Sequence, residues 1–549
     1  MRKRIEICCG DEYSTKLSNI YCQEDFFYES YCKAAQGVRD IVQATRRFYD
    51  WELNDQERRS SMEGILWKGT ANVTEYMQLA GYPNNFVVFC AGRGQGKTSA
   101  MVSFSTALRM LHGSERGSRT EKEFWQEEIV NSSFYVLDPI DPTMLDEEDS
   151  ILRVLISRMF ERYAEEQDDL CHRRNGYHEQ EPDLLKRFRQ CYRNVDILQK
   201  GRQLQDCYDD LEYLADLGDS SNMKWTFHAL VTLFLKLMCH KNDGSNRQFL
   251  VIQIDDADLN ASNAYQIVEE LRKYCVVPNV IILMASDFEQ LELTVEQYFI
   301  REFDTLRKSR QGDKTVLEHC HKMMERYLDK LIPGTRQVHL PQIDNYIREH
   351  ENELLLQYIE EAREEDGTRI RLSGDYQDTL LRLIYQKLRL ILLKPEGYLH
   401  NLLPKTMREL THFLAFLNDL PKISAESGIF SKVIDGWRSR PKGGEMEVPP
   451  KAQMEGLGQW RTTRIDGEST EGVEVDAAAL VQRRKNIDAF MDYLRHSWIK
   501  AALNEKQQAV VIPAMDATAD LKIRELLANL EEYGAEKDTK DWGEVNQHS

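Results

Sequence analysis

The chain has 549 residues, of which 42% are hydrophobic and 30% are charged. Its 91 acidic and 71 basic side chains give a formal net charge of −20. This composition excludes wholesale disorder, and the negative total argues against a protein that coats nucleic acid through bulk charge. The length favours about three or four domains.

Targeting signals are absent from the sequence pattern. No apolar run approaches the ~18 residues of a transmembrane helix. The basic N-terminus MRKRIEICCGDEY is not followed by the apolar segment of a signal peptide. The 11 cysteines occur without CxxC pairs, which favours reduced thiols over a disulfide framework. We therefore expect a soluble, cytoplasmic protein with no membrane partner.

The first half of the chain alternates between predicted strands and helices. Residues 1–80 are polar with scattered aromatics, and we predict a helical N-terminal region there. The run FVVFC at 86–90 predicts a strand buried on both faces, and residues 97–112 predict a helix. Further apolar runs predict strands at 134–137, 249–254 and 279–285, with a helix at 262–275. This rhythm predicts an α/β fold with a doubly wound parallel sheet.

The second half of the chain has a different pattern. Strand signals stop after about residue 345, and residues 346–437 show long helical patterns. Residues 438–474 are rich in Gly and Pro, which indicates a linker or a long loop. Apolar residues then recur at helical spacing, so we predict a C-terminal helical region at 475–549.

A phosphate-binding loop is predicted between the first strand and the first helix. The sequence AGRGQGKT fits the Walker A pattern with Ala91 in place of the first glycine. Its glycines allow a tight turn that brings N–H groups close to phosphate oxygens, and the helix N-terminus adds partial positive charge. Lys97 would reach the β- and γ-phosphates, and the Thr98 hydroxyl would ligate Mg²⁺. The predicted nucleotide-binding set is Ala91, Gly92, Arg93, Gly94, Gln95, Gly96, Lys97, Thr98 and Ser99.

Two adjacent carboxylates follow the predicted strand at 249–254. The sequence FLVIQIDDAD has the form of a Walker B strand, which delivers one carboxylate to the magnesium ion and a second towards the attacking water. We assign the metal role to Asp255 and the water-positioning role to Asp256. The alternative is that these acids only cap the next helix.

Polar residues also end the strand at 279–285. Ligands gather at the carboxyl ends of parallel strands, so Ser286 is a candidate sensor of the γ-phosphate. Its hydroxyl is an uncharged donor, which avoids repulsion of the phosphate. The next residue, Asp287, is also consistent with the N-cap of the following helix.

Three segments resemble AAA+-related P-loop ATPases of the KAP and STAND type. IDDAD (Ile254 to Asp258) is similar to the acid-rich Walker B of KAP ATPases. YLDKLIPGTRQVHLP (Tyr327 to Pro341) resembles the helix and strand that close their sheet, and KTMRELTHFLAFLN (Lys405 to Asn418) resembles their lid helix. The resemblance departs from the family pattern at Met407, where proline is usual, and at Leu259, where arginine is common.

The resemblance implies a P-loop NTPase core at 81–345 and a helical lid at 346–437. A helical insert at about 150–222 would replace the membrane helices of many KAP members. At the matching position, Arg408 would be the sensor-2 arginine that touches the γ-phosphate. The implied activity is hydrolysis of ATP with Mg²⁺ by a ring-forming homo-oligomer, and catalysis would use an arginine from a neighbouring copy.

The stretch from Leu271 to Glu292 is similar to ATPases of bacterial RNA-editing antiphage systems. This similarity implies a role in antiviral defence, with an effector protein encoded nearby. Two other hypotheses stay open: an ATP-binding signalling switch with little turnover, and a scaffold that only holds nucleotide. Basic residues at 171–202 are consistent with nucleic acid binding, but a solvated helical surface is the favoured interpretation.

Overall fold

The computed structural model describes residues 2–8, 17–61, 82–111, 119–145, 149–174, 182–200, 222–239, 245–259, 263–304, 313–350, 353–363, 369–388, 390, 392, 394, 397–400, 402–421 and 477–494. The described residues divide into two compact units. The first unit takes in Met1–Ile5, Tyr13–Leu355 and Lys405–Glu409. The second takes in Glu6–Glu12, Leu356–Pro404 and the residues from Leu410 onward.

The helices are numbered in chain order. They are α1 (Tyr28–Ser61), α2 (Lys97–Met110), α3 (Arg119–Val130), α4 (Ile151–Arg174), α5 (Pro182–Lys200), α6 (Met223–Met238), α7 (Ala264–Glu270), α8 (Phe288–Glu302), α9 (Asp313–Leu331), α10 (Ile343–Glu349), α11 (Tyr376–Leu388), α12 (Met407–Asp419) and α13 (Ala477–Tyr493). A π-helical turn, Leu271–Cys275, directly follows α7. Single 3-10 turns occur at Pro142–Met144, Ser245–Arg247 and Gly334–Arg336.

The strands form two sheets. They are β1 (Lys3–Cys8), β2 (Phe86–Cys90), β3 (Ser133–Val136), β4 (Gln248–Ile254), β5 (Val280–Ser286), β6 (Gln337–His339), β7 (Leu354–Arg363) and β8 (Arg369–Asp375). Five of them form an all-parallel sheet with the order β3-β4-β5-β2-β6. A three-stranded sheet has the order β1-β7-β8.

The core of the first unit lies on both faces of the parallel sheet. Every residue of β2, β4 and β5 is buried, which explains why these strands read as continuous apolar runs. On one face the Phe89 ring packs 5.8 Å from the Phe104 ring of α2, centroid to centroid. On the other face the Tyr135 ring packs 5.2 Å from the Phe234 ring of α6. Helices therefore cover both faces, and the predicted α/β class is confirmed.

The second unit is held by contacts between helices. The buried Lys387 ammonium of α11 donates to the backbone carbonyls of Asn418 (3.2 Å) and Leu420 (2.6 Å). The Asn486 side chain of α13 donates to the Lys387 carbonyl at 2.6 Å. These bonds give buried polar groups the partners that they lose when water is removed.

Two sequence predictions are wrong in part. Residues 1–80 were expected to be helical, but they include β1, in which Ile5 and Ile7 are buried at alternate positions. Residues 346–437 were expected to be helical throughout, but they include β7 and β8. Strand pairing within the β1-β7-β8 sheet decides these segments, and β1 lies far in sequence from its partner β7, whereas β7 and β8 are neighbours along the chain.

The other predicted boundaries are tested only in part. Helices α4 and α5 occupy most of the described part of the predicted insert at 150–222. The predicted linker at 438–474 lies outside the described residues. In the predicted region at 475–549, the structure describes helix α13 and Leu494.

The parallel sheet brings three strand ends to one edge. Cys90 at the end of β2 pairs with Ser286 at the end of β5, and Ile254 at the end of β4 pairs with Met284. Strand β5 therefore lies between the strand that leads to the Gly-rich turn and the strand that leads to the carboxylates. This edge positions the candidate site.

Candidate functional site at the carboxyl edge of the sheet

The Gly-rich turn joins β2 to α2 and needs glycine at two positions. Gly94 has φ +75° and Gly96 has φ +88°, which is the left-handed region that other residues rarely adopt. The Gln95 N–H donates to the Gly92 carbonyl at 3.4 Å, and the Ala100 N–H donates to the Gly96 carbonyl at 2.9 Å. These bonds close the turn and begin the helix.

Several donors of this turn have no acceptor among the described residues. They are the backbone N–H groups of Gly94, Gly96, Lys97 and Thr98. The Lys97 side chain is 6% exposed, and no hydrogen bond or ion pair to a described residue is recorded for its ammonium. A buried ammonium without a hydrogen-bonded or ion-paired partner is unfavourable. The turn therefore has the donors and the charge of an anion site.

The two residues predicted to hold magnesium lie in contact. The Thr98 hydroxyl at the start of α2 donates to Asp255 Oδ1 at 2.9 Å, although the two residues are far apart in sequence. A hydroxyl and a carboxylate oxygen are ligands of the kind that Mg²⁺ prefers. Among the described residues, no group of three or more His, Cys, Asp or Glu side chains is arranged to hold a metal ion. A cation here would therefore need further oxygen ligands from phosphate or water.

The pKa values of both carboxyl groups in the acid pair, Asp255 and Asp256, are raised. Burial, and after it the neighbouring Asp256, raise the pKa of Asp255 to about 6, while Thr98 and Lys97 oppose the shift. Burial also raises the pKa of Asp256, against the charges of Lys97 and Arg408. The positive charges of Lys97 and Arg408 therefore do not fully offset the cost of ionising the two buried carboxyl groups. A divalent cation between the pair and an anion would do so.

Asp256 has an unusual backbone conformation. Its φ is +50°, and its carbonyl accepts the Leu259 N–H at 3.0 Å, so the acid pair leads directly into a tight turn. Left-handed conformations of non-glycine residues are enriched at functional sites, and Asp tolerates them better than most residues do. The charge of Asp141, which follows β3, also acts on both acids. Sequence analysis did not select Asp141, although an Asp-Pro pair after a strand marks a turn at that edge.

Ser286 and Asp287 have different environments. Ser286 is fully buried at the end of β5, and among the described residues its hydroxyl makes only a long 3.5 Å contact with the Asp287 carbonyl. Asp287 is the N-cap of α8, where its side chain accepts the Gln290 N–H at 3.5 Å. The capping interpretation of Asp287 is therefore confirmed. The Asp287 N–H itself donates to Asp258 Oδ1 at 2.9 Å.

The first turn of α12 contacts the Gly-rich turn within the first unit. The Arg408 N–H donates to the Gly94 carbonyl at 2.8 Å. A Cβ atom at Gly94 would lie 3.0 Å from the Arg408 Cβ and 3.3 Å from the Thr406 hydroxyl oxygen. The exposed Arg408 side chain lies close enough to Asp256 for its charge to lower the pKa of that carboxyl. The structure thus brings Arg408 to the same edge as the acid pair.

A capping box begins α12. The Glu409 N–H donates to the Thr406 hydroxyl at 3.2 Å, and the Glu409 carboxylate accepts the backbone N–H groups of Thr406 (3.2 Å) and Lys405 (2.8 Å). The sequence Thr-Met-Arg-Glu carries this signal, and sequence analysis did not use it. The box fixes where the helix begins, and therefore where Arg408 is placed.

The remaining predicted nucleotide-binding residues lie in or beside the turn. Arg93 is exposed, Gln95 is buried, and Ala91 and Ser99 are half-buried. The structure therefore places the whole predicted set on one connection of the sheet. None of the described cysteines forms a disulfide, which agrees with the expectation of thiols for those residues.

No protein-family model matches the chain, and no curated protein matches it significantly. No helix in the part of the chain that the structure describes combines the length and the apolar character that a bilayer crossing requires. The functional interpretation therefore depends on the geometry at the edge of the sheet and on the sequence motifs.

Proposed function

We propose that the first unit binds Mg-ATP on the turn from Ala91 to Thr98 and hydrolyses it. The observation that carries the proposal is the environment of Lys97. Its side chain is buried, and its ammonium has no hydrogen-bond or ion-pair partner among the described residues. The neighbouring backbone N–H groups also have no acceptor among these residues. Burial of an unpaired charge costs stability that a protein regains when an anion binds. The choice of ATP among phosphate ligands comes from the resemblance of the motifs to KAP-type ATPases.

The residues of the turn bind and orient the ligand in this proposal. The backbone amides and Lys97 would hold the phosphate oxygens, because these donors have no acceptor among the described residues. Thr98 and Asp255 fit Mg²⁺, since they already supply two oxygen atoms in contact. Bound Mg²⁺ would supply neutralising charge to the phosphate oxygens.

The residues around the turn act on the attacking water and on the terminal phosphate. Asp256 would accept a hydrogen bond from the water and orient it. Ser286 would donate to the terminal phosphate from the neighbouring strand end. Arg408 would add positive charge near Asp256, where it already acts electrostatically.

The wider biological role is proposed from the resemblance alone. A homo-oligomeric ring, an arginine from a neighbouring copy, a role in antiviral defence and an effector encoded nearby belong to this wider proposal. Each predicts a separate observation, such as assembly in solution or a partner gene beside this one.

A second candidate function is a nucleotide-dependent switch with little turnover. The bond between the Arg408 N–H and the Gly94 carbonyl favours it, because this bond ties the start of α12 directly to the proposed phosphate turn. A change in the turn on nucleotide binding would then reposition the helix without hydrolysis.

Steady-state phosphate release and nucleotide binding, measured together, test both candidates. Asp256→Asn should retain nucleotide affinity and lose about 100-fold or more of phosphate release, because a water-orienting group is removed. Lys97→Ala should lose both. Equal release by Asp256→Asn and the unsubstituted protein would contradict the hydrolytic assignment. Nucleotide-dependent assembly that survives Asp256→Asn, together with negligible release by the unsubstituted protein, would favour the switch.

A further inference from the structure

Asp258 is a buried carboxylate that the proposed mechanism does not use. Its side chain is 1% exposed, whereas Asp255 and Asp256 are only half-buried. Its Oδ1 accepts the Asp287 N–H at 2.9 Å, and its Oδ2 has no hydrogen-bond partner among the described residues. Burial of a carboxylate with one oxygen unsatisfied is costly, so its position calls for an explanation.

The local backbone makes Asp258 part of the turn that carries Asp256. The bond from the Leu259 N–H to the Asp256 carbonyl closes a four-residue turn, and Asp258 is its third residue. Asp256 begins this turn at φ +50°, so the direction of its side chain depends on how the turn is held. The Asp258 carboxylate ties the turn to a second element.

That second element is the junction between β5 and α8. Asp287 is the N-cap of α8 and directly follows Ser286, which pairs with Cys90 at the start of the Gly-rich turn. The partial positive charge at the N-terminus of α8 also favours a carboxylate at this point. One hydrogen bond therefore joins the turn of Asp256 to the strand end of Ser286.

We propose that Asp258 is a positioning residue, which accepts the Asp287 N–H and thereby holds Asp256 and Ser286 in one arrangement at the edge of the sheet. This inference rests on the proposed ATPase function. It assigns Asp258 no contact with nucleotide or metal. Its effect should therefore appear in the rate of the chemical step rather than in nucleotide binding.

Two substitutions at Asp258 separate positioning from bulk stability. Asp258→Asn keeps an acceptor oxygen for the Asp287 N–H, and Asp258→Ala removes it. We expect Asp258→Ala to lower kcat about tenfold or more, with KM and the Kd for Mg-ADP within about twofold of the unsubstituted protein. We expect Asp258→Asn to restore kcat to within about threefold, because the bond is retained. Equal losses of kcat in both variants, or an unchanged kcat in Asp258→Ala, would overturn the proposal.

A double-mutant cycle tests the bond from its other end. Asp287→Pro removes the donated N–H, and the φ of −80° at this residue is within the range of proline. Asp287→Ala is the matched control, because it loses the N-cap side chain but keeps the N–H. The kcat losses of Asp258→Ala and Asp287→Pro should be non-additive, while those of Asp258→Ala and Asp287→Ala should be nearly additive. Additive losses in both pairs would overturn the proposal.

The outcomes also distinguish this inference from the proposed function. Absence of phosphate release by the unsubstituted protein would contradict the ATPase proposal itself. Release by the unsubstituted protein, with the same kcat in Asp258→Ala, would contradict only the role of Asp258. If Asp258→Ala does not fold, the kcat values of Asp287→Pro and Asp287→Ala test the inference instead. Equal kcat values for these two variants would overturn it.

Discussion

Two lysines, one in each unit, are buried to nearly the same extent. Lys97 in the Gly-rich turn is 6% exposed, and Lys387 in α11 is 4% exposed. The Lys387 ammonium donates to two backbone carbonyls at 3.2 and 2.6 Å. No hydrogen bond or ion pair to a described residue is recorded for the Lys97 ammonium. The same residue type is therefore satisfied in one unit and has no hydrogen-bond or ion-pair partner among the described residues in the other.

Two acidic side chains, one in each unit, show a similar contrast. In the second unit, Asp375 pairs with the Lys394 ammonium at 2.9 Å and accepts the Gln377 N–H at 3.1 Å at the start of α11. In the first unit, Asp255 lies beside another carboxylate, and its pKa is raised to about 6. Polar groups that have their protein partners stabilise the fold, whereas a cluster of charged groups that lack them is a candidate ligand site. The comparison predicts opposite consequences for matched substitutions.

The largest expected effect comes from replacement of each lysine by methionine. Lys97→Met should reduce nucleotide affinity and phosphate release by about 100-fold or more, because a donor aimed at developing charge is lost. Its free energy of unfolding without nucleotide should change little, because removal of a buried ammonium without a hydrogen-bond partner offsets the loss of its attraction to Asp255 and Asp256. Calorimetric titration with Mg-ADP, steady-state phosphate release and denaturant unfolding measure the three quantities.

Lys387→Met is the matched variant and should behave in the opposite way. It leaves the Asn418 and Leu420 carbonyls without their donor, so the free energy of unfolding should fall by about 1–3 kcal/mol. Phosphate release per folded molecule should stay at the level of the unsubstituted protein. A loss of stability in Lys97→Met as large as that in Lys387→Met would remove the distinction between the two lysines.

The sequence predicts those parts of the fold in which the hydrophobic pattern of consecutive residues determines the secondary structure. The continuous apolar runs of β2, β4 and β5 predict strands because both faces of each strand are buried. Strand β1 is not predicted because it is a strand through its pairing with β7, which lies far along the chain, rather than through a local pattern. The same limit applies to the candidate site.

The motifs predict the site residues but not how they are arranged. Walker-type spacing selects Lys97, Thr98 and Asp255, and the structure brings Thr98 and Asp255 into contact. The sequence shows three carboxylates within four positions, Asp255, Asp256 and Asp258. No local sequence signal indicates that Asp258 accepts the Asp287 N–H. That contact depends on the register between β4 and β5, which is a tertiary property.

The next effect concerns the pH dependence of stability without nucleotide. The folded-state pKa of Asp255 is about 6, above its unfolded value of 3.8, so the native state binds more protons between these values. Stability should therefore fall as pH rises from about 4 to about 6, by an amount on the order of 2 kcal/mol for this group. Asp255→Asn should remove that part of the fall and be more stable than the unsubstituted protein at pH 7.

Asp375→Asn is the control from the second unit. It weakens the ion pair with Lys394, so stability at pH 7 should decrease by about 1 kcal/mol. Denaturant unfolding of both variants at pH 4, 5, 6 and 7 makes the comparison. A decrease in stability for Asp255→Asn at pH 7 would contradict the assignment of Asp255 as a group that lacks its full set of partners.

The smallest expected effect is the loss of stability when a glycine is replaced by alanine. Comparison of three glycines separates the cost of backbone strain from the cost of the contact with α12. Gly94 and Gly397 both have φ +75°, but a Cβ at Gly397 would contact nothing within 4 Å, whereas at Gly94 it would lie 3.0 Å from the Arg408 Cβ. Gly92 has neither constraint. Gly397→Ala should therefore cost only the left-handed backbone penalty, of about 1–2 kcal/mol. Gly92→Ala should have little effect on stability without nucleotide.

Gly94→Ala should cost more than Gly397→Ala, because the methyl group must also displace the first turn of α12. The excess reports the contact between the Gly-rich turn and Arg408, and it should be accompanied by a further rise in the pKa of Asp256 as the Arg408 charge moves away. Denaturant unfolding gives the first quantity, and carboxyl NMR titration without nucleotide gives the second. Equal costs at Gly94 and Gly397, with no change at Asp256, would mean that the first turn of α12 does not depend on the Gly-rich turn for its position. In that case the Arg408 N–H bond to Gly94 would not couple the proposed nucleotide site to the helix, and the switch hypothesis would lose its structural support.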